Sequence, residues 1–140
     1  MIKKTILLFS ILFCFSAPTY SQLEKTIHQT FEVDGKSILS FNLISDSTQI
    51  IPWAGTTILT ETKVELYDAS PSILAHFMDK EQRYTIDADT TGNGILLFSV
   101  NKERKPIRTR HGECYEQVKI RVFVPEDFTL DSDQKYVRSN

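Results

Sequence analysis

Cysteine is almost absent from this chain of 140 residues, which contains only Cys14 and Cys114. Cys14 lies in an N-terminal apolar segment that we expect to be removed, so Cys114 has no disulfide partner within the mature chain. A lipidated cysteine normally follows a small residue, whereas the large residue Phe13 precedes Cys14, so lipidation is not expected. A fold held together by disulfides is therefore excluded, and an apolar core must stabilise the protein.

The sequence also lacks a hydrophobic run long enough to cross a membrane. Its longest uncharged apolar stretch is Ile6–Phe15, whereas a membrane-spanning helix needs roughly 20 apolar residues. Lys3 and Lys4 precede this stretch and the small residue Ser21 follows it. The pattern predicts a signal peptide over residues 1–21. We expect export to the periplasm, the cell surface or the medium, with no transmembrane span in the mature protein.

An excess of positive charge is missing as well. The chain has 16 basic and 18 acidic residues, and the predicted signal peptide removes Lys3 and Lys4 without removing any acidic residue. The mature chain would then carry a formal charge of −4. This balance argues against general nucleic-acid binding, so no nucleic-acid partner is expected.

What the mature sequence does contain is apolar and polar residues in alternation, which is typical of half-buried strands. Asp34-Gly35 separates the first two alternating segments and predicts a tight hairpin between them. Further strands are predicted at Ile50-Ile51, where Pro52 limits the strand, and over Thr57–Tyr67. Core-facing positions in the first two segments and in the long strand are Ile27, Phe31, Val33, Leu39, Phe41, Leu43, Ile58, Val64 and Leu66.

One segment has helical instead of alternating spacing. Ser70 is a candidate N-cap before Pro71, and apolar residues follow at helical intervals, which predicts one short helix over Pro71–Asp79. After it, Tyr84, Ile86 and Ala88 alternate in a strand. The turn Thr91-Gly92-Asn93-Gly94 then predicts a hairpin with Ile95–Val100 as its second strand.

The last clear strand places Val118, Ile120, Val122 and Val124 on its core-facing side. Its solvent-facing side would carry Lys119 and Arg121. We therefore predict an all-β fold, mostly antiparallel, either β-sandwich-like or solenoid-capping, with one short α-helix. The β-rich domain would span residues 22–130, and residues 131–140 would form a polar flexible tail because they have little apolar content.

The loop sequence RTRHGECYEQ, residues 108–117, contains residue types that bind metals or act as nucleophiles. His111 and Cys114 supply only two metal ligands, whereas a zinc site needs three or four that converge. A thiol enzyme using Cys114 and His111 is an alternative, because nearby arginines could lower the thiol pKa. We favour a solvated loop instead, with no catalytic residue, cofactor or metal.

A second hypothesis for the same region is ligand binding through charge. Arg104, Lys105, Arg108 and Arg110 form a basic cluster in an acidic protein, and such a cluster can attract an acidic glycan or a lipid headgroup. Trp53, beside a glycine-containing turn, is a candidate sugar platform. These five residues are the candidate ligand-binding set, with a charged soluble loop and a packed tryptophan as the alternatives.

A family resemblance is carried by the order of segments in the mature chain. That order is FEVDGKSILSFNLISDSTQIIPWAGTTILTETKVEL, then a short helix, a hairpin and VKIRVFVPEDFTL. Over Phe31–Leu130 it resembles the N-terminal part of a bacterial cell-envelope adhesin family, a domain of unknown function with a β-solenoid. The Trp-containing turn Pro52–Gly55 and the Val-x-Val-Pro strand match that pattern. The chain departs from the family after Leu130, where no glycine-punctuated strands follow, so it resembles a truncated member.

Together these features predict an exported, non-catalytic cell-envelope or adhesin-like module with a binding or structural role. A cell-surface glycan or another envelope component is the expected partner. Self-association through the sheet edge beside the strand that ends at Val124 is a further expectation. The alternatives are a small thiol-dependent enzyme and a truncated family member without independent function.

Overall fold

The computed structural model describes residues 22–131 and 135–139. The predicted signal peptide, residues 1–21, lies outside the described residues. Eleven strands and one helix follow in chain order: β1 Gln22–Phe31, β2 Ile38–Asn42, β3 Ser47–Trp53, β4 Ile58–Tyr67, α1 Pro71–Asp79, β5 Ile86–Asp89, β6 Gly94–Ser99, β7 Arg108–Thr109, β8 Gly112–Glu113, β9 Glu116–Pro125, β10 Phe128–Leu130 and β11 Tyr136–Arg138.

The strands form two main sheets around a shared core. The first sheet has the order β1-β4-β9-β3, and the second has the order β10-β11-β2-β6-β5. β7 and β8 pair only with each other. The pairings are antiparallel except for β3 with β9 and β2 with β6, which are parallel. The described part of the chain is thus all-β with one short helix, as the alternation predicts.

The long strands β4 and β9 show why alternation creates the core. Their inward residues, including Val64, Leu66 and Val122, are fully buried, while every second residue between them stays accessible. Inward residues of β2 and β6, such as Leu39 and Leu97, complete the same core from the second sheet. The predicted orientation of β9 is confirmed, because Val118, Ile120, Val122 and Val124 are buried and Lys119 and Arg121 are exposed.

The predicted hairpin between the first two strands is wrong. Asp34 and Gly35 do adopt positive φ angles of 46° and 73°. However, β1 pairs with β4 in the first sheet, while β2 pairs with β6 and β11 in the second. The turn therefore carries the chain from one sheet to the other. A turn sequence determines local backbone geometry, whereas the partner of each strand depends on where its apolar face is buried.

The strand that contains Pro52 is longer than its sequence suggests. β3 extends over Ser47–Trp53 and pairs with β9 on one side only, so it is an edge strand. Proline is tolerated there because an edge strand has one side without ladder hydrogen bonds. β9 consequently has neighbours on both sides, β4 and β3. The expected open edge beside Val124 is therefore wrong, and the edges of the first sheet are β1 and β3.

The helix and the second hairpin agree with the sequence. Helix α1 spans Pro71–Asp79, and the Ser70 side chain accepts a hydrogen bond from the Ile73 N–H, as an N-cap does. β5 and β6 pair as the predicted antiparallel hairpin. Gly92 in the turn has a φ of 71°, which favours glycine. No helix in the described residues is long and apolar enough to cross a membrane.

Residues 136–138, near the end of the chain, form a strand that their composition does not predict. Tyr136–Arg138 forms β11, which lies between β10 and β2, so the prediction of a flexible tail over residues 131–140 is wrong for these residues. The Tyr136 ring packs edge-on against Phe41, with 5.8 Å between ring centroids. Arg138 lies 4.8 Å from the Phe128 ring and pairs with Asp127. A few contacts with an existing sheet are enough to order a segment that could not fold alone.

Candidate functional site

The loop that precedes β9 contains a small hairpin, formed by β7 and β8. Thr109 closes its turn, because its hydroxyl accepts from the His111 N–H at 3.2 Å and donates to the Gly112 carbonyl at 3.4 Å. Gly112 has a φ of 117°, a backbone geometry that side chains disfavour. At the base, the Cys114 N–H donates to the Ile107 carbonyl at 2.8 Å, and both residues are buried. The hairpin is thereby anchored to the core.

A buried ion pair fixes the start of β9. Arg83 donates to both carboxylate oxygens of Glu116, from Nε at 2.9 Å and from Nη2 at 3.0 Å. Their side chains are only 4% and 9% exposed. The Tyr84 hydroxyl also donates to Glu116. Burial, together with this contact, raises the Tyr84 pKa, so its hydroxyl stays protonated and keeps donating.

A second arginine extends this pair to the loop between β2 and β3. Arg104 Nε contacts Glu116 at 3.2 Å, and its Nη2 donates to both Asp46 oxygens at 3.1 Å. Asp46 in turn accepts from the Val118 N–H at 2.7 Å. Arg83 adds a bond to the Lys105 carbonyl at 2.5 Å. We call Arg83, Tyr84, Arg104, Glu116 and Asp46 the ion network.

The ion network separates the members of the predicted basic cluster. Arg104 is paired with Asp46 and Glu116, and these contacts favour a structural role for its side chain. Lys105 lies outside the network, with a side chain that is 81% exposed and 4.0 Å from Glu103. Only Arg108 and Arg110 remain together, on the β7–β8 hairpin.

Arg108 and Arg110 face a cleft of about 570 Å³ between helix α1 and the hairpin. We call it the α1–hairpin cleft. The helix side and the segment before it contribute Asp68, Ser70, Ser72, Ile73, His76 and Phe77, and the hairpin contributes Arg108, Thr109, Arg110 and His111. The volume lies in the range of small-ligand sites.

The cleft combines charge with an apolar floor. Ile73 and Phe77 are half-buried and pack against the core. Within the part of the chain that the structure describes, neither Arg108 nor Arg110 forms an ion pair. Their guanidinium groups are exposed, and Asp68 is the one acidic residue that lines the cleft.

The ion network also supports the cleft floor. The Arg83 guanidinium, held by Glu116, lies 5.4 Å from the centroid of the Phe77 ring. This distance fits a cation–π contact. The helix wall is further held by Leu74, which is buried in the core. Both walls of the cleft are therefore anchored in the folded domain.

Trp53 lies elsewhere in the molecule. Its Nε1 donates to the Thr57 carbonyl at 2.9 Å, and its ring covers Gly55 so closely that a Cβ there would be 2.1 Å from the ring. This packing explains why residue 55 is a glycine, and it favours a turn-stabilising role for Trp53. Trp53 also lines a separate cleft of about 540 Å³, whose acidic residues are Glu32, Asp34, Glu126 and Asp127.

The two clefts are separated by a full strand. Trp53 precedes β4, while Asp68 follows it, so the ten-residue strand β4 runs from one cleft to the other. At about 3.3 Å per residue, the separation is roughly 30 Å. The structure therefore does not bring Trp53 together with the arginines.

Cys114 is buried, and its thiol donates to the Asp68 carbonyl at 3.4 Å. Burial, with the nearby Asp68 and Glu116 charges, raises the thiol pKa and disfavours the thiolate. His111 is exposed at the hairpin turn, and among the described residues no hydrogen bond joins it to Cys114. These contacts favour a structural role for the thiol. In the same part of the chain, no three His, Cys, Asp or Glu side chains are grouped to hold a metal ion.

Sequence reasoning missed the helix side of the cleft and the ion network. Ile73 and Phe77 have the four-residue spacing of one helix face, which indicated only core packing. His76 stood alone between them without a motif. Arg83 and Glu116 are 33 residues apart, and neither is distinguished locally from a surface charge.

No family model, curated protein or solved structure matches this chain. The resemblance to the cell-envelope adhesin family therefore stays a prediction that rests on the sequence pattern alone.

Proposed function

We propose that this protein is an exported, non-catalytic binding module of the cell envelope, and that it binds a surface glycan or another envelope component in the α1–hairpin cleft. The observation that carries the proposal is the cleft itself. It combines free guanidinium groups, hydroxyl groups and an apolar floor between two walls that are each anchored in the core. Ligand sites usually combine apolar surface with a few polar groups.

The anchoring matters because ordering a loop on binding reduces affinity. Each side chain or loop that is immobilised by the ligand opposes binding, so a preformed site binds more tightly than a mobile one. Here Ile107 and Cys114 hold the hairpin, while Leu74 holds the helix. The cleft can therefore receive a ligand without a folding step.

Export is supported by the sequence of residues 1–21, with Lys3 and Lys4 before a short apolar stretch. Intact mass of the secreted or periplasmic product tests it. The expected species begins at Gln22. A species that begins at Met1, or one with acyl chains on Cys14, would contradict export through a cleaved signal peptide.

Binding in the cleft is tested with two matched tryptophan variants on helix α1. Ser72 lines the cleft, whereas Ala75 is exposed on the same helix and does not line it. We expect Ser72→Trp to fill the cleft and abolish capture of envelope glycans on an array, while Ala75→Trp retains it. Equal capture by both variants would show that the ligand binds elsewhere.

Self-association through a sheet edge is part of the same proposal and would use β1. Among the described residues, this ten-residue edge strand pairs only with β4. The β5 edge is less available, because the side chain of Gln29, a β1 residue, bonds to both backbone groups of Ile86. Lys25 lies opposite Val64 on the core side of β1, and such a charge limits stacking. Light scattering over a concentration series, with reductant present, should detect a dimer; a monomer at every concentration would refute it.

A further inference from the structure

We propose that the ligand of the α1–hairpin cleft is an acidic glycan, in which a carboxylate, sulfate or phosphate group is bound by Arg108 and Arg110. This inference rests on the proposed function and specifies its chemistry. Both arginines belong to one short hairpin: Arg108 lies in β7, and Arg110 is the first residue of the two-residue turn that follows Thr109. Guanidinium groups bind planar or tetrahedral anions through paired N–H donors.

The charge around the cleft is opposite to that of the whole chain. With histidine counted as neutral, the protein has a formal net charge of −2, yet the lining contains two arginines, Arg108 and Arg110, against the single carboxylate of Asp68. Two histidines also line the cleft, and one of them, His76, is 3.5 Å from Glu81. A positive cleft in a negative protein attracts anions to one place and repels them elsewhere.

The apolar floor favours a glycan over a bare inorganic anion. Ile73 and Phe77 offer surface for the C–H face of a sugar ring, beside the guanidinium groups that would hold its acidic substituent. Phe77 is already covered on one side by Arg83, so its orientation is fixed before the ligand arrives. The Ser72 hydroxyl lies along the same cleft and can bond to a sugar hydroxyl.

A membrane surface fits the described residues less well. A protein that binds lipid headgroups through a few cations usually adds apolar side chains that enter the bilayer. The exposed large apolar residues among the described residues are Ile38, Tyr115 and Leu130, and none of them lines the cleft. Ile38 and Leu130 lie in the second sheet, on the two strands beside β11. They form no common apolar face around Arg108 and Arg110.

The number of free cations predicts a shallow salt dependence. All four residues of the predicted basic cluster could contact a polyanion if they were free, but Arg104 is held in the ion network and Lys105 does not line the cleft. Two arginine contacts release at most about two counterions, so the slope of log affinity against log salt should be no steeper than about −2.

The test uses the full chain and three probes: a uronic-acid oligosaccharide, a neutral glucan of equal length, and vesicles that contain anionic lipid. The variant Arg108→Gln/Arg110→Gln removes both cleft charges. The control Lys102→Gln/Lys105→Gln removes two charges from the same loop outside the cleft. We expect the first variant to bind the uronate probe at least tenfold more weakly than the native chain and the control to bind within about twofold.

Thermal unfolding of both variants tests whether they are folded. We expect Tm values close to that of the native chain, because Arg108 and Arg110 are exposed and unpaired among the described residues. Equal binding of the neutral and acidic probes would overturn the inference while leaving the proposed function intact. Unchanged uronate binding by Arg108→Gln/Arg110→Gln would overturn it as well, as would binding to vesicles alone. Failure to bind any glycan or envelope extract would overturn the proposed function together with the inference.

Discussion

Glu116 is the residue whose replacement should show most directly what holds the candidate site in place. Its carboxylate accepts from Arg83 and Tyr84 and contacts Arg104, and its side chain is 9% exposed. The variant Glu116→Gln preserves the shape of the side chain and removes its charge. The nearly buried Arg83 guanidinium would then lose the carboxylate that compensates it.

Removing one partner of a buried ion pair costs about 3–5 kcal/mol, mainly because the other charge stays buried without compensation. Arg104 still has Asp46 as a partner after the change, so the loss should lie near the lower end of this range. We expect a loss of about 3 kcal/mol in the free energy of unfolding, which corresponds to a decrease of roughly 10–20 °C in Tm.

Urea denaturation followed by circular dichroism measures this loss. Glu103→Gln is the matched control, because Glu103 is a nearby glutamate whose side chain is 81% exposed and lies 4.0 Å from Lys105. Surface pairs of this kind contribute about 0–1 kcal/mol. A loss below about 1 kcal/mol for Glu116→Gln would refute the role of the ion network.

Three further predictions concern the first sheet. Ile120→Ala should cost about 2–4 kcal/mol through lost burial and a cavity, while Lys119→Ala should stay within about 0.5 kcal/mol; equal effects in urea denaturation would contradict the β9 register. Thr62→Val should raise the free energy of unfolding by about 1 kcal/mol, because the buried hydroxyl has no partner among the described residues; a destabilised variant would show that the hydroxyl is bonded. The hydrogen bond from Arg121 lowers the pKa of Glu61 below its ordinary value of 4.5, so this pair stabilises the fold above pH 4.5 and stops doing so as the pH falls through the lowered pKa. The stability difference between the native chain and Arg121→Gln should therefore shrink in acid, and a difference that does not change with pH would contradict the pairing.

Several features of the fold could be predicted from local sequence alone. The period of two in Val118–Val124 determines which side chains of β9 face the core, because successive residues of a strand point to opposite faces. Ser70 and Pro71 determine where α1 begins, since a cap and a proline act on the adjacent backbone only. The turn around Gly92 likewise connects two strands that pair with each other.

The candidate site depended on contacts between distant segments. From the sequence, Arg104, Lys105, Arg108 and Arg110 are four equivalent charges of one loop. Tertiary structure separates them, because Asp46 and Glu116 approach Arg104 from two other segments and leave Arg108 and Arg110 free.

Local patterns in the sequence were therefore enough to predict the all-β class, the helix, the orientation of the long strands and the identity of the basic loop. Long-range contacts were needed to show that Asp34-Gly35 connects two sheets, that β9 is a central strand, and that Arg108 and Arg110 face helix α1 across a cleft. Local patterns act through the backbone of neighbouring residues, and they determine which face of a segment is apolar. Strand partners and ion pairs are chosen when distant apolar faces are buried together, and that choice leaves no signal within any one segment.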